Sequence, residues 1–267
     1  DVRDAQFVDN ACEGVDIVFH LAALIAIPYS YTAVESFVDT NVKGTLNVLQ
    51  AVRRRGCRRL VHTSTSEVYG TPASLPIVET HPLQGQSPYS ASKIAADKLC
   101  EAFSCSFGLS VVTLRPFNTY GPRQSARAVI PTILSQLLTD HKEIELGNLE
   151  PRRDLTFVSD TVDGFVRAGV AKGIDGEVVQ LGTGRTDSIR EVFMAACRAT
   201  NVDAKVVSSP NRFRPDSSEV MVLQSSPEKA RRLLGWEPRV SLDDGLARTA
   251  DWMRHNLNKY RPKHYTL

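Results

Sequence analysis

Short apolar runs alternate along the first half of the chain with longer segments in which apolar residues recur every three or four positions. The runs Val15–Leu21, Arg59–Thr63 and Val111–Leu114 have the length and β-branched content of buried parallel strands. Apolar residues at helical spacing predict helices over Val34–Arg55 and Tyr89–Phe107. Strand, helix, strand, helix, strand is the order of an α/β protein with a doubly wound parallel sheet.

The pattern changes after residue 125, where shorter strands and helices alternate with polar loops. We predict that residues 1–125 form most of a larger domain, and that residues 155–185 return to its sheet. Residues 126–154 and 186–267 are predicted to form a smaller α/β lobe.

Polar side chains follow the second predicted strand directly, at Thr65, Ser66 and Glu67. Ser87, an N-cap residue followed by proline, then opens a helix on which Tyr89 and Lys93 share one face. We expect the Lys93 ammonium to lower the pKa of Tyr89, so that the phenol accepts a proton from a substrate hydroxyl. By itself a Tyr-x-x-x-Lys pair is weak evidence, because an exposed helical pair has the same spacing.

The bulk composition narrows the classes of partner. The chain has 267 residues, of which 42% are hydrophobic, and a net charge of +2, which gives no argument for nucleic acid or an anionic membrane as partner. No apolar run reaches transmembrane length. The five cysteines are scattered and no histidine cluster suggests a metal, so we expect reduced thiols in a cytoplasmic protein. His20 and His62 end apolar strands and are expected to be core histidines.

Eight motifs occur in a fixed order, namely Asp1-Val2-Arg3-Asp4, His20-Leu21-Ala22-Ala23, Asn41-Val42-Lys43-Gly44-Thr45, Ser64-Thr65-Ser66-Glu67-Val68-Tyr69-Gly70, Tyr89-Ser90-Ala91-Ser92-Lys93, Arg115-Pro116-Phe117-Asn118-Thr119-Tyr120-Gly121-Pro122-Arg123, Arg153-Asp154 and Leu234-Gly235-Trp236. Together they closely resemble the extended short-chain dehydrogenase/reductase family of nucleotide-sugar epimerases and dehydratases. The phrases LIAIPYSY and HPLQGQSPYSASK resemble most the NAD-dependent 4,6-dehydratases of N-acetylglucosamine nucleotides, as in legionaminic acid biosynthesis.

The resemblance implies a Rossmann-like domain, NAD as cofactor, a nucleotide sugar as substrate that the smaller lobe binds, and a homodimer formed through helices 34–55 and 89–107. The positions that match the family's cofactor site are Asp1, Val2, Leu21, Ala22, Ala23, Thr63, Tyr89, Lys93 and Pro116.

The resemblance also implies a mechanism. In that family NAD+ oxidises C4 of the sugar, while the residue matching Tyr89, assisted by Lys93, takes the O4 proton and Thr65 hydrogen-bonds the same oxygen. The ketone acidifies the C5 hydrogen, Glu67 is placed to remove it, water leaves from C6, and the hydride returns to C6. The product is a 4-keto-6-deoxy sugar nucleotide.

Glu67 separates the candidate reactions, because an epimerase needs no base at C5. Many deoxythymidine-linked dehydratases have aspartate at the position of Ser66 as the acid for the leaving hydroxyl. We therefore hypothesise that Glu67 serves as both base and acid, through a water or Ser66. The alternative interpretation of Glu67 is a solvated loop side chain.

Positions matching the family's substrate site are Asn118, Val129, Arg153 and Arg214. Guanidinium groups suit a diphosphate, so Arg153 and Arg214 are candidates for it, although either arginine could instead form a surface salt bridge. Val129 matches a position near the base. Asn41 is expected to hold the strand end at Ala22 and Ala23 rather than to touch substrate.

One feature departs from the family, which begins with a strand and a glycine-rich turn that holds the cofactor pyrophosphate. We expect two βα units to be missing here, a sheet edge to be exposed and NAD to bind poorly to residues 1–267. The alternatives to a dehydratase are a 4-epimerase, a UDP-glucuronate decarboxylase, and a non-catalytic NAD-binding or scaffold protein.

Overall fold

A four-stranded parallel sheet lies at the centre of the first half of the chain. The computed structural model describes residues 1–139, 142–213 and 215–260. In spatial order the strands are β1 (Ile17–His20), β2 (Arg59–Thr63), β3 (Val111–Pro116) and β8 (Val178–Leu181). All neighbouring pairs are parallel, which confirms the predicted Rossmann-like α/β fold class.

Smaller sheets join the remaining strands of the described residues. Parallel pairs are formed by β4 (Asn118–Tyr120) with β7 (Leu155–Phe157), and by β5 (Glu143–Leu146) with β10 (Lys205–Ser208). A three-stranded sheet has β6 (Arg152–Arg153) between the parallel β11 (Val222–Leu223) and the antiparallel β9 (Asp187–Ser188).

Ten α-helices surround the sheets in the described part of the chain. They are α1 (Ala5–Ala11), α2 (Ile27–Ser30), α3 (Val34–Phe37), α4 (Gly44–Arg55), α5 (Pro88–Phe107), α6 (Val129–Leu137), α7 (Val158–Val170), α8 (Ile189–Thr200), α9 (Glu228–Leu234) and α10 (Leu242–Arg254). The helix predicted over 34–55 therefore consists of α3 and α4 with a π-helical segment, Val38–Lys43, between them. Short 3₁₀ turns are Ser66–Tyr69, Pro210–Arg212, Asp216–Ser218 and Leu257–Lys259.

Two of the apolar clusters among the described residues hold the main layers together. The central sheet packs on α7 and α9 through a cluster that includes Val61, Val112, Leu114, Val179 and Trp236. Because β2 and β3 are covered on both faces, nearly every residue in them is buried, polar ones included. A second cluster joins α6, α8 and α10 and includes Ile133, Leu134, Val192, Leu246 and Met253.

The start of α5 is fixed by local hydrogen bonds. The Ser87 hydroxyl accepts from the Ser90 main-chain N–H at 3.1 Å, and the Ser87 N–H donates to the Ser90 hydroxyl at 3.0 Å. Pro88 occupies the first helical position, as predicted. This capping box places Tyr89 in the first turn of α5 and Lys93 one turn later.

Several further features concern the described residues only. No helix among them is long and apolar enough to span a membrane. The same residues contain no group of three or more histidine, cysteine, aspartate or glutamate side chains placed to hold a metal ion. The five cysteines of the chain are free thiols.

Candidate active site

The turn after β2 carries the first three predicted catalytic residues. Thr65 is the N-cap of the 3₁₀ turn Ser66–Tyr69, and its hydroxyl accepts from the Glu67 main-chain N–H at 3.2 Å. Thr65 and Ser66 are buried, whereas the Glu67 side chain is half-buried. The local cap thus fixes the backbone of Glu67 directly after β2, with its side chain partly open to solvent.

Lys93 joins α5 to the end of β2. Its ammonium donates to the main-chain carbonyl of Thr63 at 2.6 Å, and the residue is only 3% exposed. Burial lowers the pKa of Lys93, while the charge of Asp97 one turn later on α5 opposes that shift. The helix that carries Tyr89 is therefore bonded directly to the strand end that precedes Thr65.

The phenol of Tyr89 is buried beside this strand end. Burial raises the pKa of Tyr89, a hydrogen bond with Thr65 lowers it, and the negative charges of Glu67 and Asp97 raise it further. The net shift is upward, so the expectation that Lys93 lowers the pKa of Tyr89 is wrong for the chain without ligands. The reason is geometric, because the Lys93 ammonium is directed to the Thr63 carbonyl and burial of the phenol dominates.

A buried ionic network lies behind Lys93. The Asp97 carboxylate accepts from the Arg115 guanidinium at 3.0 and 3.2 Å and from the Ser64 hydroxyl at 2.8 Å. His62 Nε2 lies 3.3 Å from the other Asp97 oxygen. Despite burial, the neighbouring His62, Arg115 and Ser64 lower the pKa of Asp97. No role was predicted for Asp97 or Arg115. The spacing of four residues between Lys93 and Asp97 could have indicated that these two side chains share one face of α5.

The two histidines are buried, as predicted. His20 Nε2 lies 3.0 Å from the Thr45 hydroxyl, and the rings of His20 and His62 are 5.7 Å apart. Burial lowers the pKa of both imidazoles, and the charge of Lys93 contributes to each shift.

The predicted cofactor side begins where β1 ends. Three residues follow that strand directly, Leu21, Ala22 and Ala23, of which the first two are exposed. Asn41 in the π-helical segment accepts from the Leu24 N–H and donates to the Leu24 carbonyl, both at 2.9 Å. Its amide also donates to the Ser92 hydroxyl of α5 at 2.9 Å. The prediction that Asn41 holds this strand end is confirmed.

The ends of β2 and β3 complete that edge. The buried Thr63 hydroxyl has no hydrogen-bond partner among the described residues, and half-buried Pro116 ends β3. A ligand that carries hydroxyl groups would give Thr63 the partner it lacks, and small residues after β1 allow a flat ring to approach. The residues present at this edge therefore fit a dinucleotide.

Asp1 and Val2 lie near the start of α4. The Asn47 side chain donates to the Val2 carbonyl at 2.9 Å, and the Val2 side chain packs against Gly44. The exposed Asp1 carboxylate pairs with the Arg3 guanidinium at 2.6 Å. Their predicted role in cofactor binding stays a prediction.

Three of the predicted substrate residues, Asn118, Val129 and Arg153, lie in the described part of the chain. The buried side-chain oxygen of Asn118 has no hydrogen-bond partner among the described residues, which leaves it for a ligand. Arg153 forms a salt bridge with Glu219 at 3.0 Å, as the alternative interpretation expected, but the pair is buried rather than on the surface, and its role toward a diphosphate stays a prediction. Val129 opens α6 and is half-buried. Arg214 lies outside the described residues.

Asp154 fixes the backbone around Arg153. Its carboxylate accepts hydrogen bonds from the main chain of Thr183, Gly184 and Ser225 and from the hydroxyls of Thr183 and Ser225, at 2.6 to 3.1 Å. The Asp154 carbonyl also accepts from the Asn118 N–H at 3.0 Å. Five donors satisfy one buried carboxylate, and the position of Arg153 next to it is fixed accordingly.

Comparison with known proteins places this arrangement in a family. The family described as GDP-mannose 4,6 dehydratase matches residues 1–249. This chain belongs to the extended short-chain dehydrogenase/reductase family of NAD-dependent nucleotide-sugar epimerases and dehydratases. It is thus a member of an enzyme family whose characterised relatives include both 4,6-dehydratases and 4-epimerases.

Individual relatives represent both reactions. The UDP-glucose 4-epimerase of Mycolicibacterium smegmatis is 34% identical over 96% of this chain and 82% of its own length. The dTDP-glucose 4,6-dehydratase of Xanthomonas campestris pv. campestris is 33% identical over 90% of this chain and 73% of its own length. The crystal structure of DesIV, a dTDP-glucose 4,6-dehydratase from Streptomyces venezuelae with NAD and TYD bound, superposes with a TM-score of 0.87 at 32% identity, covering 98% of this chain and 80% of that one.

Proposed function

We propose that this family member is an NAD-dependent nucleotide-sugar 4,6-dehydratase. The observation that carries the proposal is the position of Glu67. Glu67 lies half-buried on the turn after β2, close enough to Tyr89 for its charge to raise the pKa of that phenol. A carboxylate beside the group that handles the O4 proton is what removal of the C5 proton requires.

In the proposed reaction Tyr89 accepts the O4 proton, and Thr65 hydrogen-bonds the same oxygen. The raised pKa of Tyr89 in the chain alone means that the phenolate needs a positive charge nearby when substrate is bound. Lys93, one turn away and buried, is the protein's own source of that charge. Glu67 then removes the C5 proton and, directly or through Ser66, returns it to the leaving C6 hydroxyl.

The cofactor is NAD. Leu21, Ala22, Ala23, Thr63, Lys93 and Pro116 would hold it at the carboxyl edge of the sheet, with Asp1 and Val2 beside the start of α4. When bound, the cofactor would supply reversible hydride transfer, since it would accept the hydride from C4 and return it to C6.

The substrate is a nucleoside diphosphate sugar. Arg153 is buried and has a fixed orientation, so its guanidinium suits the diphosphate, and Asn118 has a buried oxygen available for hydrogen bonding. From the motifs in residues 24–31 and 81–93 we further propose that the sugar is N-acetylglucosamine, on UDP or GDP. A cytoplasmic location stays a prediction.

A 4-epimerase is the second candidate. One observation favours it, since Ser66 offers no carboxylic acid for a leaving hydroxyl and an epimerase needs none. The identity with the epimerase of Mycolicibacterium smegmatis is also as high as that with the dehydratases. In a 4-epimerase Glu67 would have no catalytic role, because inversion at C4 requires no base at C5.

A substrate screen tests the two reactions against each other. The protein would be incubated with NAD+ and UDP- or GDP-N-acetylglucosamine, dTDP-glucose or GDP-mannose, and the sugar nucleotides would be analysed by mass spectrometry for loss of water and by NMR for the configuration at C4. Loss of one water supports the dehydratase, and the C4 epimer without water loss supports the epimerase. Glu67→Gln should reduce water loss by roughly 10²- to 10⁴-fold, whereas Glu79→Gln, on a half-buried glutamate outside the turn after β2, should keep it. Full dehydration by Glu67→Gln would refute the assignment of Glu67.

We also propose a homodimer formed through helices 34–55 and 89–107. Both segments expose large apolar side chains, with Val34, Val38 and Phe107 each about half exposed. Exposed apolar groups on two adjacent helices favour burial against a second copy.

A further inference from the structure

The hydroxyl of Ser218 lies where three separate segments of the chain meet. The Tyr31 hydroxyl, on the segment after β1, lies 2.6 Å from it. The Ser218 hydroxyl itself donates to the main-chain carbonyl of Gln86 at 2.9 Å. Gln86 directly precedes Ser87, the N-cap of α5, so the bridge ends at the helix that carries Tyr89.

The direction of these bonds follows from the hydrogen inventory. A serine hydroxyl has one hydrogen, and here it goes to the Gln86 carbonyl, which has none to give. The Tyr31 hydroxyl must therefore be the donor to Ser218. Each of the two hydroxyls depends on the other, so loss of either one breaks the connection between the segment after β1 and residue 218.

The two residues of this bridge lie next to different groups of the candidate site. The Tyr31 ring packs against the cluster of Ile27, Phe37 and Tyr89, which includes the proposed proton acceptor. On the other side, Ser218 is followed by Glu219, whose carboxylate pairs with Arg153. The bridge thus connects the surroundings of Tyr89 with the group proposed for the diphosphate.

We propose that Tyr31 and Ser218 are positioning residues that hold residues 24–33 against the segment of Glu219, and so keep a nucleotide sugar aligned between Tyr89 and Arg153. This inference rests on the proposed function for its substrate. Neither hydroxyl takes part in proton transfer. Their removal weakens substrate binding and leaves the ionisation that controls turnover unchanged.

Hydrogen exchange tests the bridge in the protein without substrate. Amides in this segment bond locally, for example Ser30 to the Ala26 carbonyl and Ala33 to the Tyr29 carbonyl. In Ser218→Ala they should exchange roughly three- to tenfold faster than in the wild type, the effect expected for loss of one hydrogen bond. The control is Ser217→Ala, at the exposed neighbouring position, which should exchange like the wild type. Equal exchange in both variants overturns the bridge.

Steady-state kinetics with the substrate identified in the screen test the role of the bridge between Tyr31 and Ser218. Tyr31→Phe keeps the ring and removes the hydroxyl, and it should raise KM about three- to tenfold with kcat and its pH profile unchanged. Because Ser218→Ala already removes the partner of the Tyr31 hydroxyl, Tyr31→Phe with Ser218→Ala should cost no more than Ser218→Ala alone. Tyr29→Phe, on an exposed neighbouring tyrosine, is the control and should leave KM unchanged. A fall in kcat at constant KM, or additive effects, overturns the proposal.

Different outcomes would refute the proposed function and the positioning role of Tyr31 and Ser218. If the wild type converts no nucleotide sugar, the proposed function fails, while the exchange experiment still decides whether the bridge exists. If the wild type is active and Tyr31→Phe and Ser218→Ala bind substrate normally, the proposed function stands and the positioning role is refuted.

Discussion

The Lys93 ammonium lies 2.6 Å from the main-chain carbonyl oxygen of Thr63, which joins α5 to the end of β2. A buried ammonium loses its hydration, and this hydrogen bond to a carbonyl replaces part of it. The cost of burial is visible in the lowered pKa of Lys93. Such a costly group is expected where function requires a positive charge beside Tyr89.

Replacing Lys93 should therefore separate activity from stability. In Lys93→Met the side chain keeps its volume and loses the charge, so kcat should fall by roughly 10²- to 10⁴-fold. The free energy of unfolding should change by less than about 1.5 kcal/mol, because an apolar group of similar size fills the site. Turnover assays and urea unfolding measure the two quantities. Lys98→Met, on an exposed lysine of the same helix, should alter neither turnover nor stability. Unfolding of Lys93→Met, or full turnover by it, would refute the role of the Lys93 charge in catalysis.

Breaking the buried ion pair of Asp97 and Arg115 should, in contrast to Lys93→Met, strongly reduce the stability of the protein. Both side chains are about 5% exposed, so removing one charge leaves the other buried without compensation. Asp97→Asn should lower the free energy of unfolding by about 3–5 kcal/mol.

Urea unfolding with a matched exposed pair provides the control. Lys98 and Glu101 form an ion pair whose side chains are more than half exposed, and Glu101→Gln should cost at most about 1 kcal/mol. Similar losses in Asp97→Asn and Glu101→Gln would mean that burial does not govern the strength of the Asp97 pair.

The sequence predicted the elements of the central sheet because local signals agree there. Arg59–Thr63 has the predicted bounds, and α5 differs from its prediction by one residue, since β-branched runs and the Ser87-Pro88 cap are local properties. The division into a larger domain and a substrate lobe stays a prediction, as do the catalytic roles of Glu67 and Tyr89.

Pairing between distant residues was not predictable in the same way. Arg153 with Glu219 and Tyr31 with Ser218 are separated by 66 and 187 positions, and no periodicity relates them. For the chain without ligands, the direction of the shift in the pKa of Tyr89 was predicted wrongly for a related reason. Spacing shows that Lys93 is near Tyr89, but only the fold shows that the phenol is buried and that the ammonium faces Thr63.

The proposed homodimer predicts that a charge placed on its interface should prevent association. Val38 is 49% exposed on the segment between α3 and α4, and Val38→Asp would bury an uncompensated carboxylate in the proposed interface. We expect this variant to be a monomer by light scattering where the wild type is a dimer. Met194→Asp, on an exposed residue of α8 outside both helices, should keep the wild-type mass. A dimeric Val38→Asp variant would refute this interface.

Acid should destabilise the protein through its buried histidines. Burial, aided by the charges of His62 and Lys93, lowers the pKa of His20 from the ordinary 6.5 to about 3. Between these two values the unfolded chain binds a proton at His20 that the folded chain excludes, so stability falls as the pH decreases through that window. The lowered pKa of His62 acts in the same direction.

Each histidine that is neutral when folded and protonated when unfolded contributes a slope of about 1.4 kcal/mol per pH unit. Urea unfolding at a series of pH values from about 7 down to about 5 should show this decline, and it should show a shallower decline in His20→Gln. The amide of glutamine does not titrate, and it retains a donor and an acceptor for the Thr45 hydroxyl that His20 now contacts at 3.0 Å. An unchanged slope in His20→Gln would mean that His20 is protonated in the folded protein or that other groups cause the acid sensitivity.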